Sequence, residues 1–252
     1  MDLKLRGKKA IITGSTKGIG KAIALSLASE GCQVVVTGRD KEQLETTVQE
    51  IKKASGTIAY PIRIDLQKEG SAEQLLQIGI EILGDIDILV NNAGIWPTSY
   101  VTDMSKDEFE KTMYLNLEVP YLLSKNAANY FLEEKKKGKI IHIVSQAAFH
   151  GSTTGHAHYA ASKAGLVAFM ISQAREVAKY GININAVAPG MVDTDMVRDN
   201  VLKNEEYYKN RIPVGRLARP EEIANIVTFL ASEKADYLTG ITIDATGGML
   251  MR

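Results

Sequence analysis

One segment of the chain has residue types and a spacing that could support proton transfer. Tyr159 and Lys163 stand four positions apart in an apolar-rich stretch, and Ser145 precedes them. If the stretch is helical, the phenol and the ammonium share one face, with Cβ atoms about 5–6 Å apart. A fixed cation favours phenolate, so it can shift the tyrosine from its ordinary pKa of about 10 towards the range of a general acid or base. Because such pairs also arise on ordinary amphipathic helices, the prediction depends on the other motifs.

A second segment has the composition of a phosphate-binding turn. Gly14, Gly18 and Gly20 lie between a short apolar run and a helical pattern. Glycine allows positive φ and close approach of the backbone to a pyrophosphate, while a helix N-terminus offers free N–H groups. The spacing Gly-x-x-x-Gly-x-Gly differs from the G-x-G-x-x-G fingerprint but stands in the same strand–turn–helix context. We therefore predict a dinucleotide-binding loop over residues 13–20.

Hydrophobic periodicity predicts strands that alternate with helices along the whole chain. The predicted strands cover residues 10–12, 34–37, 57–63, 86–90, 139–144, 182–188 and 241–244. The predicted helices cover residues 19–27, 72–83, 107–137, 159–180 and 220–232, with a further helix capped by Asp40 that ends near residue 54. Pro120 should kink or break the third of these. The alternation predicts an α/β fold, a single Rossmann-type domain over residues 1–252 with a doubly wound parallel sheet and helices on both faces.

Composition narrows the classes of function. Lys plus Arg equals Asp plus Glu at 30 each, so no net-charge field favours nucleic acid or an anionic membrane. Cys32 is the one cysteine, which predicts a buried residue in a reducing compartment. No segment reaches the length of about 18 apolar residues that a membrane span needs, so we expect a soluble cytoplasmic protein. His156 and His158 have no neighbouring Cys or closely spaced acid to complete a metal site, and no metal is predicted.

Several motifs occur together in an order and approximate spacing that resemble the short-chain dehydrogenase/reductase family. The resemblance covers almost the whole chain. It rests on residues 13–20, Asp65, residues 91–94, Asn116, Ser145, Tyr159 with Lys163, and residues 189–194. It implies an oxidoreductase that interconverts a ketone or aldehyde and an alcohol by hydride transfer.

The resemblance also implies a set of cofactor-binding residues. These are Gly14, Ser15, Thr16, Lys17, Gly18, Ile19, Gly20, Arg39, Asp65, Leu66, Asn92, Ala93, Gly94, Tyr159, Lys163, Pro189, Gly190 and Thr194. An acid after the second strand would hold a ribose 2′-hydroxyl and repel a 2′-phosphate, but Gly38 stands there. Arg39 and Lys17 instead offer two cations, which suit a phosphate. We therefore predict NADP(H) as the cofactor.

The family's division of labour implies four catalytic roles. Tyr159 resembles the general acid/base, and Lys163 the residue that lowers its pKa and holds the nicotinamide ribose. Ser145 would hydrogen-bond the substrate oxygen, and Asn116 would hold a water that links the lysine to solvent. Thr194 resembles the hydroxyl that holds the nicotinamide carboxamide.

One spacing departs from the family pattern. The separation of Ser145 from Tyr159 is one position longer than usual, which would place Gln146 at the serine position. The strand at residues 141–145 favours Ser145, because a buried face fixes strand register whereas the loop at 150–158 can accept an insertion. Both assignments stay open in the sequence.

The substrate also stays open, between a 3-oxoacyl thioester on an acyl-carrier protein and a sugar, polyol or other small carbonyl. The basic run at residues 135–139 suits a carrier, but Tyr180 stands where a second basic residue is expected. Residues 191–212 resemble a substrate lid. Further candidate contacts, some of them equally typical of packing, are Trp96, His150, His156, Met196, Tyr207 and Tyr208.

Two other expectations concern the protein as a whole. The family usually forms homotetramers through the two long helices and the last strand, so we expect a homotetramer. The alternative to an enzyme is a non-catalytic NADP(H)-binding redox sensor or scaffold subunit, which the loss of Tyr159, Lys163 or Asn116 would have favoured.

Overall fold

The computed structural model describes residues 1–152, 154–196, 206 and 210–252. Within them, seven parallel strands form one sheet in the order β3-β2-β1-β4-β5-β6-β7. They are β1 Lys9–Ile12, β2 Gln33–Gly38, β3 Ala59–Arg63, β4 Ile88–Asn91, β5 Gly138–Ile143, β6 Ile182–Pro189 and β7 Thr242–Ala245. Every residue of β4, β5 and β6 is buried, as expected where helices cover both faces of a parallel sheet. The predicted doubly wound architecture is confirmed.

The helices form one layer on each face of the sheet. They are α1 Gly18–Ser29, α2 Lys41–Ser55, α3 Ser71–Leu83, α4 Lys106–Met113, α5 Val119–Glu133, α6 Ala147–His150, α7 Ala157–Val177 and α8 Pro220–Ala231. Helices α1, α2 and α8 pack in one hydrophobic core, and α3, α5 and α7 in the other. Because side chains alternate across a strand, Ile12 belongs to the first core and Ile11 to the second.

The strand order reverses beside β1, which lies between β2 and β4. Ligands of such sheets bind at the reversal, outside the carboxyl ends of the strands. The glycine loop follows β1 and residues 92–94 follow β4, so the topology places both motifs at the edges of this crevice.

The long helix predicted over residues 107–137 is divided. α4 ends at Met113, a π-helical turn occupies Tyr114–Glu118, and α5 begins at Val119. Pro120 has no N–H, so it cannot donate the usual α-helical bond to the carbonyl of Asn116. The wider turn, in which the Val119 N–H donates to the Tyr114 carbonyl, accommodates this loss. The predicted break is therefore present, but as a bulge just before the proline.

Two further expectations concern local structure. The Asp40 carboxylate accepts the Gln43 N–H at 3.0 Å and so caps α2 as predicted. Cys32 is fully buried, its thiol donates to the Leu5 carbonyl at 3.3 Å, and burial raises its pKa to about 12. Among the described helices, none has the length and apolar composition needed to cross a membrane.

Substitution of Gly138, the first residue of β5, tests how tightly β5 packs against α5. A Cβ at this position would overlap the ring of Phe131, which is fully buried in α5. We expect Gly138→Ala to lower the free energy of unfolding by about 1–3 kcal/mol, as overpacking does in dense cores. Urea denaturation measures this. Phe131→Leu in the same background should recover part of the loss, and strictly additive effects of the two substitutions would contradict the assigned clash.

Candidate active site

The glycine loop is shaped by three glycines with different functions. Gly14 and Gly18 have φ of +61° and +54°, in the left-handed region that favours glycine. Gly20 lies inside α1, where a Cβ would overlap the Gly14 carbonyl oxygen and the Asn92 side-chain amide. The loop can therefore fold tightly against the first turn of α1, with the backbone facing the crevice.

Hydrogen bonds lock this loop to the end of β4. The Asn92 Nδ2 donates to the carbonyls of Thr13 at 3.0 Å and Gly14 at 2.9 Å. In return, the Thr13 Oγ1 accepts the N–H groups of Asn92 and Ala93, each at 2.9 Å. These four bonds fix the spacing of the two sides of the crevice.

A cavity of about 760 Å³ runs along the crevice. It is lined by every sequence-predicted cofactor-binding residue except Ser15. Ser15 is fully buried beneath the loop, where its Oγ donates to the Ile12 carbonyl at 2.8 Å and accepts the Thr37 N–H at 2.9 Å. Its side chain therefore supports the loop from behind and does not face the cavity.

One end of the cavity is suited to a phosphorylated ribose. Arg39 and Lys17 are exposed there, and Asp65 and Leu66 line the neighbouring wall. Gly38 leaves no room for a side chain, because a Cβ would lie 2.6 Å from the Thr16 methyl group. An acid at this position, which would repel a 2′-phosphate, would therefore require Thr16 to move.

At the other end, Ser145 and Tyr159 both line the cavity. Tyr159 is half-buried because its phenol faces the cavity. Burial raises the pKa of the phenol, and the hydrogen bond with Ser145 acts in the opposite direction. Burial, rather than the expected acidification by Lys163, dominates this phenol, so its protonated form is favoured near neutral pH.

Gln146 lies beside Ser145 but makes different contacts. Its Nε2 lies 3.7 Å from the Met249 sulfur, and its buried Oε1 has no hydrogen-bond partner among the described residues. Of the two candidates for the serine position, Ser145 is the one that acts on the pKa of the Tyr159 phenol, whereas Gln146 contacts Met249.

Lys163 lies one turn along α7 from Tyr159. Its Nζ is 5.8 Å from the centroid of the tyrosine ring and donates to the Ile143 carbonyl at 2.9 Å. The residue is only 4% exposed, and burial lowers its pKa to about 8. The Ile143 carbonyl at the end of β5 thus holds the Lys163 ammonium in the wall of the cavity.

Asn116 is positioned by the π-helical turn. Its Oδ1 accepts the Ile95 N–H and its Nδ2 donates to the Ile95 carbonyl, both at 2.9 Å. The Nδ2 also lies 3.3 Å from the Ser162 hydroxyl. Asn116 is fully buried and does not line the cavity, but a Cβ on Gly94 would lie 3.0 Å from the Asn116 Oδ1 and 3.6 Å from the Lys163 ammonium.

The rest of the cavity wall contains some residues that the sequence analysis singled out and others that it did not. Trp96 and His156 stack at 4.2 Å between ring centroids and line the cavity, as does His150. Met249 and Leu250 also line it, although no motif marked them. The nearest signal was the Gly247–Gly248 pair, which indicates a turn but not its destination. Met196 lines the cavity too, whereas Tyr207, Tyr208 and much of the predicted lid lie outside the described residues.

The described part of the chain contains no cluster of three or more His, Cys, Asp or Glu residues that could hold a metal ion. The Nδ1 of His156 instead lies 2.8 Å from the Pro97 carbonyl, and burial lowers the pKa of its imidazole. His156 thus has a packing contact that explains its position.

A glycine-rich cradle at one end, with a cavity-lining tyrosine and a buried lysine at the other, is typical of a nicotinamide-dependent oxidoreductase. The chain belongs to the short-chain dehydrogenase/reductase family. A family model described as Enoyl-(Acyl carrier protein) reductase matches residues 14–250. The 3-oxoacyl-[acyl-carrier-protein] reductases FabG of Aquifex aeolicus and Escherichia coli are each 39% identical over 249 residues, which is 99% of this chain and 100% of theirs.

Solved structures agree with this assignment. A short-chain dehydrogenase/reductase from Mycobacterium marinum superposes with a TM-score of 0.93 at 34% identity, over 100% of this chain and 99% of that one. A proposed NAD(P)-dependent gluconate 5-dehydrogenase from Beutenbergia cavernae, with bound NADP, gives a TM-score of 0.92 at 31% identity over 99% of both chains. This chain therefore shares its fold with both of these structures.

The burial of Lys163 predicts a pH dependence of stability. Its folded pKa of about 8 lies below the ordinary value of 10.5, so between these values the unfolded chain holds a proton that the folded chain lacks. The Lys163 amine therefore makes the free energy of unfolding rise as the pH increases from about 8 to about 10.5. The total rise is on the order of 3 kcal/mol.

We expect Lys163→Met to lose this rise. Urea denaturation of both proteins from about pH 7 to about pH 10.5 would show the difference between their free energies of unfolding changing through the window. The exposed Lys53→Met serves as the control, with a difference from wild type that is constant with pH. A constant difference for Lys163→Met as well would contradict the assigned shift.

Proposed function

We propose that the protein interconverts a ketone or aldehyde and an alcohol by hydride transfer, with NADP(H) as cofactor and Tyr159 as general acid/base. The observation that carries the proposal is that Ser145, Tyr159 and Lys163 line the same cavity as the glycine-rich loop. Binding and proton transfer can therefore occur in one continuous site.

NADP(H) fits the residues that are present. The positive-φ glycines of the loop leave the backbone open to a pyrophosphate, and Thr194 approaches the loop from the opposite side, its methyl 3.3 Å from where a Gly18 Cβ would lie. Arg39 and Lys17 suit the additional phosphate. Two solved relatives, one of them a proposed 2-deoxy-D-gluconate 3-dehydrogenase from Agrobacterium tumefaciens, hold NADP. When bound, the nicotinamide supplies or accepts the hydride.

The protein's own groups handle the proton. In the reducing direction the substrate carbonyl gains negative charge on oxygen, and Tyr159, kept protonated by burial, donates a proton to that oxygen. Ser145 stabilises the same oxygen by donating a hydrogen bond. The buried Lys163 ammonium lowers the cost of the phenolate that remains, since an opposite charge in a poorly solvated site favours the ionised form.

Different observations favour the two substrate classes. The FabG relatives, at 39% identity over their full length, favour a 3-oxoacyl thioester on a carrier protein. The lysines of the 135–139 run favour a small carbonyl, because three of them are already paired with carboxylates. Lys136 bonds Asp85 at 2.5 Å, Lys139 bonds Asp236 at 2.6 Å, and the Lys137 Nζ lies 3.5 Å from Asp236. Following NADPH absorbance with acetoacetyl thioesters, diketones and sugars distinguishes these classes.

The non-catalytic sensor is not favoured. Tyr159, Lys163 and Asn116 are all present, and the first two face the cavity. Tight binding of NADPH without turnover of any substrate in the same panel would support the sensor and overturn the enzyme.

Quaternary structure is part of the proposal. Tyr121 on α5 packs edge to face against Phe169 on α7 with centroids 5.4 Å apart, and Tyr121 is 38% exposed. Aromatic groups on the outer face of these two helices support a homotetramer formed there. Sedimentation at several protein concentrations measures the state.

Substitution of Arg39 tests the cofactor assignment. Arg39→Ala removes a cation that can bond a phosphate, so kcat/KM with NADPH should fall by about tenfold or more. The value with NADH should stay nearly constant, which makes NADH the internal control. A wild-type protein that prefers NADH, or equal losses with both cofactors, would contradict the assignment.

A pair of substitutions tests the serine position. Ser145→Ala should lower kcat by about 100-fold or more, because it removes a donor to the developing oxyanion. Gln146→Ala should leave kcat within a few-fold of wild type, since its amide contacts Met249 and not the phenol. Steady-state kinetics of both variants decides, and the reverse pattern would assign the role to Gln146.

A further inference from the structure

Residues 246–252, here called the return segment, fold back from the sheet onto the cavity. Gly247 and Gly248 have φ of +62° and +91°, which permits the reversal after β7. The Thr246 Oγ1 closes the turn: it accepts the Leu250 N–H at 3.2 Å and donates to the Leu250 carbonyl at 3.1 Å. Met249 and Leu250 are thereby placed in the cavity wall.

Arg252 ties this segment to two other elements. Its guanidinium carbon lies 3.5 Å from the centroid of the Phe149 ring in α6. Its Nε and Nη2 donate to the two carboxylate oxygens of Asp244 in β7, at 2.8 and 3.1 Å. A planar guanidinium can make both contacts at once, since its edge carries the donors and its face stacks on the ring. Arg252 thus joins α6 to the edge of the sheet.

Helix α6 needs such an external support. It has only four residues, none of them buried, and it directly follows Ser145 and Gln146. Its end carries His150, which lines the cavity. Gln146, the residue just before α6, provides a second link to the return segment, because its Nε2 lies 3.7 Å from the Met249 sulfur. The substrate side of the cavity is therefore one wall built from two segments.

We propose that Arg252 is a positioning residue for the substrate: by stacking on Phe149 and pairing with Asp244, it holds α6 and the return segment in the arrangement that receives the carbonyl compound. This inference rests on the proposed function. Arg252 does not itself line the cavity, and it acts through Phe149 and through the return segment, so its effect falls on the substrate and not on the cofactor.

The test separates substrate binding from the rest of the reaction. Arg252→Ala should raise KM for the carbonyl substrate about tenfold, as expected when an ion pair and a stacking contact are lost together. The KM for NADPH should be unchanged and kcat should stay within about twofold. Arg252→Lys keeps the charge but not the planar fork, so it should give an intermediate KM. Phe149→Leu should raise KM as well, and the double substitution should be less than additive.

A matched control separates this role from general stability. Arg216 makes a similar two-pronged pair with Glu222, at 2.7 and 2.6 Å, and does not line the cavity. Arg216→Ala should leave the substrate KM unchanged. A wild-type substrate KM in Arg252→Ala, or equal rises in both KM values with a lowered Tm, would overturn the proposal.

Hydrogen exchange gives a readout that needs no turnover. Backbone amides of residues 147–151 should exchange faster in Arg252→Ala than in wild type, while those of α1 stay the same. If the wild type turns over no carbonyl compound, the proposed function fails. Faster exchange at residues 147–151 in Arg252→Ala would still support the positioning of α6 by Arg252. Unchanged exchange there would overturn it.

Discussion

The site depends first on the amide of Asn92. It spans the gap between the ends of β1 and β4 by donating to two carbonyls of the glycine loop, and Thr13 returns two bonds to the same segment. These bonds form only because Gly20 carries no side chain at the point of contact. The loop is therefore held open by packing and hydrogen bonding before any ligand arrives, which lowers the ordering cost of binding.

Burial shifts the pKa values of Tyr159 and Lys163 in opposite directions. It raises the pKa of Tyr159, favouring the phenol, and lowers that of Lys163 to about 8, disfavouring the ammonium. Both shifts have the same origin, since each charged form loses solvation in the same part of the fold. Tyr159 therefore keeps its proton until it is needed, and Lys163 gives up its own proton more easily than an exposed lysine. This combination suits a tyrosine that must release a proton and then recover it.

Much of this was predictable from residues close together in sequence. The alternation of strands and helices, the glycine loop and the Tyr159–Lys163 spacing are local patterns, and each recurs in the structure near its predicted place. Other features could not be predicted from local sequence. The π-helical turn around Asn116 reflects the missing N–H of Pro120, which the sequence marked only as a break. Ser15 belonged to the loop motif, yet its hydroxyl turns inward to β1 and β2.

The sequence by itself determined the parallel sheet, the place of the cofactor cradle and the residue types available for proton transfer, because periodicity and turn chemistry are properties of short segments. Only the tertiary structure decided that Gln146 contacts Met249 and that Arg252 reaches Phe149. Those contacts join positions far apart in the chain, and their geometry depends on how loops close over a packed sheet. Local patterns carry no information about such closure, since many loop paths satisfy the same turn residues.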